Sequence, residues 1–131
     1  MRVAAGGVAA LLVLAGCGGG SGGKPGTPTP ASGPVARGKA LYASGGCKSC
    51  HSLDGSGGVG PTWKGLAGSR VKFAGGESVT ADDAYLRAAI EDPDKQIVAG
   101  YQPGVMTATV PRGSISPADS KALVAYIDSL K

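Results

Sequence analysis

Cys47-Lys48-Ser49-Cys50-His51 is the stretch whose residue types and spacing could do chemistry. Two thiols in a C-x-x-C spacing can add across the two vinyl groups of a porphyrin, and an imidazole that follows at once can reach the iron from the same face. The pattern predicts covalent haem attachment at Cys47 and Cys50, with His51 as an iron ligand. Three other readings of the dithiol stay open here: a redox disulfide, half of a zinc site, and chance occurrence. A zinc site needs about four N or S ligands, and the chain offers few, with only three cysteines and one histidine in all. A thioredoxin-like disulfide sits between a strand and a helix of an α/β unit, whereas the residues before Cys47 read as helix and those after it as glycine-rich loop.

The second axial position follows from composition. His51 is the sole histidine, so two histidines from one monomer cannot share the iron. Of the two methionines, Met1 lies in a segment expected to be removed, which leaves Met106. A lone methionine is ordinarily a flexible core filler. Met106 ends Tyr101-Gln102-Pro103-Gly104-Val105-Met106, a turn-rich stretch with neither helical nor strand period, where a loop across a haem face is the better reading. Histidine plus methionine raises the iron's potential, as electron transfer requires. Lysine ligation and an open sixth position remain as alternatives.

The elements that must position these residues are helical. Pro34 is pre-set for a first helical turn, and Val35, Gly38, Leu41 and Tyr42 share a face of a helix running to about Ala43, stopped by Ser44-Gly45-Gly46. A glycine in mid-helix costs about 1 kcal/mol against alanine, so Gly38 predicts another helix crossing closely. The last segment supplies it: Ser116 as cap, Pro117 in the first turn, Asp119 at the positive end of the dipole, and an apolar stripe of Leu123, Ile127 and Leu130 extended by Val124 and Tyr126. A third helix is expected over 81–91, capped by Thr80, with Asp82 and Asp83 in its first turn, Pro93 beyond its end and a small-residue face of Ala84, Tyr85, Ala88 and Ala89. Residues 70–73 and 107–110 are the only strand-like stretches, giving two short strands at most. The fold class is therefore all-α in the main, three to five short helices with long loops around one haem. Because the apolar core available from 35–131 is small, the chain without haem is expected to be largely unfolded.

Three segments are expected. Residues 1–16 carry Arg2 and an apolar run from Val8 to Ala15, too short to span a bilayer and typical of a secretory signal. The run ends in Leu14-Ala15-Gly16-Cys17, which resembles the bacterial lipoprotein signal and implies lipidation of Cys17; acyl chains contribute ~0.8 kcal/mol per buried CH₂, enough to tether with more than one chain. In 17–34, the stretch from Gly18 to Pro34 has seven glycines and four prolines among its residues and no core-forming side chains, so it reads as a linker. Coiled, it reaches roughly 20 Å; drawn into polyproline geometry, roughly 50 Å. Residues 35–131 form the domain.

Several further stretches, with the pentapeptide, resemble the single-haem His/Met cytochromes c, and within them the haem-carrying domain fused to subunit II of some bacterial cytochrome c oxidases. They are Gly38-Lys39-Ala40-Leu41-Tyr42, Val59-Gly60-Pro61-Thr62-Trp63-Lys64-Gly65-Leu66, Val98-Ala99-Gly100-Tyr101 and the closing helix with Leu123 and Tyr126. The likeness spans 35–131. It implies that Cys47 and Cys50 hold the vinyl groups, that His51 and Met106 are axial ligands, and that Pro61 offers its carbonyl to the other ring nitrogen of His51. It also implies that Gly38 and Tyr42 cross the last helix near Leu123 and Tyr126. The oxidase subunit carries a membrane hairpin and a dicopper domain, for which this chain has no second set of ligands, so a separate cytochrome is expected. Thr107 stands where a proline often follows the methionine in such domains.

Charge is uneven: Arg37, Lys39, Lys48, Lys64, Arg70 and Lys72 face only Asp54 in the first part, whereas 77–94 holds Glu77, Asp82, Asp83, Glu91, Asp92 and Asp94 against Arg87. Basic groups near the haem would steer the domain to an acidic surface of a redox partner such as a terminal oxidase or a quinol-oxidising complex. A formal charge of +4, less Arg2, is too small and scattered for nucleic acid. The expected role is a lipid-anchored electron carrier at an extracytoplasmic bacterial membrane surface, with no catalytic acid, base or nucleophile. A haem-based sensor of small ligands and a fixed haem subunit of a dehydrogenase are the alternatives.

Overall fold

The computed structural model describes residues 33–131. The expected signal, Cys17 and all but the end of the expected linker lie outside them. Pro34 opens helix α1 (Pro34–Ser44), and the backbone N–H of Gly45 closes it on Leu41 O at 2.7 Å. Helix α4 (Pro117–Asp128) begins as the sequence predicts: the Ser116 hydroxyl accepts the Asp119 N–H at 3.1 Å, with Pro117 in the first turn.

The two helices cross at Gly38, the one buried residue of α1. A Cβ on Gly38 would lie 2.1 Å from Ala122 O and 2.7 Å from Tyr126 Cβ, so the backbones approach within a distance that only glycine allows. Leu41 and Tyr42 pack on the core from the same face, and the Tyr42 and Tyr126 rings meet at 5.8 Å. Val35, expected on that face, is 42 % exposed, because the crossing lies one turn further along.

Between them the chain makes a two-stranded hairpin, β1 (Arg70–Lys72) antiparallel to β2 (Ser78–Thr80), with Val71 opposite Val79. The hairpin is pinned to residues 97–99 by Ala74 N–H to Ile97 O at 2.9 Å and Ala99 N–H to Lys72 O at 2.8 Å. Helix α2 (Asp83–Glu91) packs against α4. Two details of its reading need correction. Its cap is Asp82, extended in backbone, whose Oδ1 accepts the Tyr85 N–H at 2.8 Å, and not Thr80; the Ala81 backbone is tied by hydrogen bonds to Gly68 and Ser69, outside the helix. Its buried residues are Leu86 and Ile90, while Ala84 is exposed, because the larger side chains bury more apolar area than the small-residue face.

The expected strand at 107–110 is not there. Gly104 adopts φ 79° and starts a short helix, α3 (Val105–Thr109), closed by Ala108 N–H to Gly104 O at 3.0 Å and Val110 N–H to Met106 O at 2.7 Å. Met106 therefore stands on a helical turn rather than in irregular loop; local hydrogen bonding overrides the β-branched composition of the segment. Trp63, Phe73, Leu86, Ile90, Leu123 and Ile127 belong to the core, against which Leu41, Tyr42 and Cys47 pack.

Candidate functional site

The pentapeptide is shaped by Gly46, whose left-handed backbone (φ 83°) turns the chain out of the loop after α1 into a 3₁₀ turn at Cys47–Ser49. The N–H groups of Cys50 and His51 both bond to Cys47 O, at 3.2 and 2.9 Å. That turn brings Cys47, Cys50 and His51 to the wall of one cavity of about 510 Å³, within the range of small-molecule and cofactor sites. Both cysteines are free and half buried. Burial pushes the Cys47 thiol above its ordinary pKa, so it is held as the thiol.

His51 is oriented from three sides. Its Nδ1 lies 2.7 Å from Pro61 O, and a carbonyl can only accept, so Nδ1 carries the proton and Nε2 is the nitrogen left for a metal. Burial lowers the His51 pKa, against the opposing effect of that hydrogen bond, which keeps Nε2 with its lone pair free at neutral pH. The ring lies across Gly60, where a Cβ would come 2.6 Å from His51 Cε1, and its centroid is 5.3 Å from that of Trp63. The Tyr42 hydroxyl donates to His51 O at 2.7 Å, tying α1 to the end of the pentapeptide. The loop that supplies Pro61 is stitched to the same turn by Gly60 N–H to Cys50 O and Trp63 N–H to Ser52 O, both at 2.9 Å.

Met106, from α3, lines the same cavity. α3 reaches the thiol turn: a Cβ on Gly46 would lie 3.5 Å from Thr109 Cγ2. The remaining wall is largely apolar, with Leu86, Ile90, Val98, Leu123 and Ile127 among its residues. Two thiols, one oriented imidazole nitrogen and one thioether around an apolar cavity are a donor set that fits a covalently held haem. Among the described residues no three His, Cys, Asp or Glu side chains gather as a metal group, so the structure lends nothing to the zinc reading.

Of the residues named from the sequence, the structure places Cys47, Cys50, His51, Pro61 and Met106 on the wall of one cavity, and Cys17 lies outside the described residues. The sequence reading missed the ring-bracing roles of Gly60 and Trp63 and the hydrogen bond of Tyr42. Gly60 and Trp63 entered that reading only within the stretch 59–66 that carries the resemblance, without a role toward His51.

A helical domain built around such a cavity belongs to a recognised class. The sequence model of the cytochrome c family matches residues 35–131, and the chain belongs to that family. A cytochrome c domain binds haem c covalently and carries electrons rather than acting as an enzyme, so haem c is this chain's cofactor. Among solved structures it is similar to cytochrome cH from Methylobacterium extorquens, at 27% sequence identity and a TM-score of 0.52, over 74% of this chain and 99% of that one. No curated protein matches the chain.

Proposed function

We propose that the chain is a membrane-tethered cytochrome c that passes single electrons between respiratory complexes, with a terminal oxidase as acceptor. The observation that carries this reading is the single cavity to which Cys47, Cys50, His51 and Met106 all contribute, with His51 Nδ1 already committed to Pro61. Cys47 and Cys50 would form the two thioether links, His51 Nε2 and the Met106 sulfur would ligate the iron, and the Pro61 carbonyl would fix the imidazole ring. Bound there, haem supplies a one-electron iron couple. The chain's own work is to hold the ligands, to keep water away with residues such as Leu86, Ile90 and Leu123, and to leave an approach for a partner. Lys64 and Arg70 at the cavity wall support an acidic partner surface.

The chain divides into a signal over 1–16, a lipidated Cys17 with its linker to 34, and the haem domain over 35–131. The tether then concentrates the carrier near membrane partners at the extracytoplasmic face. No helix among the described residues is long and apolar enough to cross a membrane.

A visible spectrum of the matured protein, with haem staining on a denaturing gel, tests the core of the reading. Haem is expected to stay with the chain under denaturation, and the ferric band of sulfur ligation is expected in the wild type and absent in Met106→Ala. A pigment extracted by acidic acetone would overturn the covalent links. Globomycin-sensitive processing is expected to vanish in Cys17→Ser; membrane retention of that variant would overturn the anchor.

A further inference from the structure

The segment that follows α2 is bound to the segment that carries Met106 at several points, and one carboxylate makes two of the bonds. Asp94 Oδ1 accepts the Gly104 N–H at 2.8 Å, and Asp94 Oδ2 accepts the Thr107 hydroxyl at 2.7 Å. The two donors flank Met106 on either side. Gly104 has no side chain to cap α3, and its positive φ leaves the N–H pointing out of the short helix toward Asp94. Further along, Arg112 pairs with Asp92, and Gly113 N–H bonds to Glu91 O at 3.4 Å. Asp94 itself lines the cavity wall beside Met106.

α3 is five residues long, too short to be a stable helix by itself. No residue of α3 is buried by other side chains of the chain; Val105, Met106 and Thr109 line the cavity instead, so the protein holds this turn chiefly through hydrogen bonds. Thr107 also lacks the fixed dihedral that a proline would bring to the residue after the methionine. Something outside the segment must therefore restrict it.

We propose that Asp94 is a positioning residue for the sixth iron ligand, clamping Met106 in place through the Gly104 N–H and the Thr107 hydroxyl. The inference rests on Met106 being that ligand. Two hydrogen bonds to one carboxylate, each stronger than a neutral pair, bias the Met106 segment toward its bound position. With the clamp removed, the sulfur leaves the iron more often, and an added ligand competes for the vacated position more easily.

The test uses the ferric holoprotein and imidazole as the competing ligand. Asp94→Ala is expected to bind imidazole about tenfold more tightly than the wild type, the equivalent of ~1.4 kcal/mol. Thr107→Val, which loses one of the two bonds without changing size, is expected to fall between them. Asp94→Asn, whose amide can accept from Gly104 and donate to Thr107, is expected to bind close to the wild type. If Asp94→Ala lowers the melting temperature while imidazole affinity in it and in Thr107→Val stays within twofold of the wild type, the role is only structural and the inference is overturned. If Asp94→Ala fails to fold, Thr107→Val decides the matter by the same measure. The sulfur band separates the two failures: a wild type without it, or with a band that survives Met106→Ala, overturns the ligand assignment and the clamp with it.

Discussion

At Gly60 a single hydrogen atom in place of a side chain lets the His51 ring lie against the backbone. A methyl there would sit 2.6 Å from Cε1 and 2.8 Å from Nδ1, so the ring must turn and its bond to Pro61 must lengthen. With His51 as the proposed iron ligand, that bond would make the imidazole more basic and favour ferric iron. Gly60→Ala is therefore expected to raise the reduction potential and to move the hyperfine-shifted ring protons in the proton NMR spectrum. An unchanged potential with unchanged ring signals would mean that Gly60 does not set the orientation. The pentapeptide was legible because its chemistry is local, five consecutive residues making one turn. Gly60 and the Tyr42 hydroxyl were not, since each acts on His51 from a separate loop or helix.

The crossing of α1 and α4 is the contact on which the elements depend. A Cβ at Gly38 would meet Ala122 O, a backbone atom that cannot swing aside, so Gly38→Ala can be accommodated only by parting the helices. Denaturant titration of the holoprotein is expected to show a loss of about 3 kcal/mol, at the upper end for overpacking and beyond the gain in helix propensity. A second link between the same helices is electrostatic: Arg37 Nε donates to Asp119 Oδ1 at 2.8 Å, and the Ser116 hydroxyl donates to Asp119 Oδ2 at 2.9 Å. The Ser116 hydrogen bond, and then Arg37, hold the Asp119 carboxyl below its ordinary pKa. A carboxyl with a lowered folded-state pKa adds stability that is fully present above the unfolded value, ~3.9, and is lost as the pH falls through the folded value. The stability difference between wild type and Asp119→Asn is thus expected to be constant near neutrality and to shrink on acidification below about pH 3.9. A difference that stays constant through that range would show that the charge contributes nothing. These two elements were readable from Gly38 in mid-helix and from Ser116-Pro117. The inward face of α2 was misread because several alternative faces of a short helix look apolar, and only packing selects among them.

For the whole molecule the cavity is the dominating fact. An empty space of about 510 Å³ beside a core led by Trp63, Phe73 and Leu86 would forfeit too much packing for the domain to stay closed. Chain made without haem attachment, as in Cys47→Ala with Cys50→Ala, is expected to give a far-ultraviolet circular dichroism signal of mostly unfolded chain and no cooperative melting. A cooperative transition near that of the holoprotein would mean that the side chains suffice by themselves.

What the sequence alone determined is what is short-ranged: a dithiol next to an imidazole, capping residues at helix starts, a glycine where two helices touch, and a methionine with no rival. Composition could name Met106 because there was so little else to choose from. Only the tertiary structure decided that residues 105–109 coil rather than extend, that Gly60 makes room for the His51 ring, and that Asp94 grips both sides of the methionine. Those are contacts between segments with no periodic pattern of their own, and their geometry exists only once the chain has closed around the cavity.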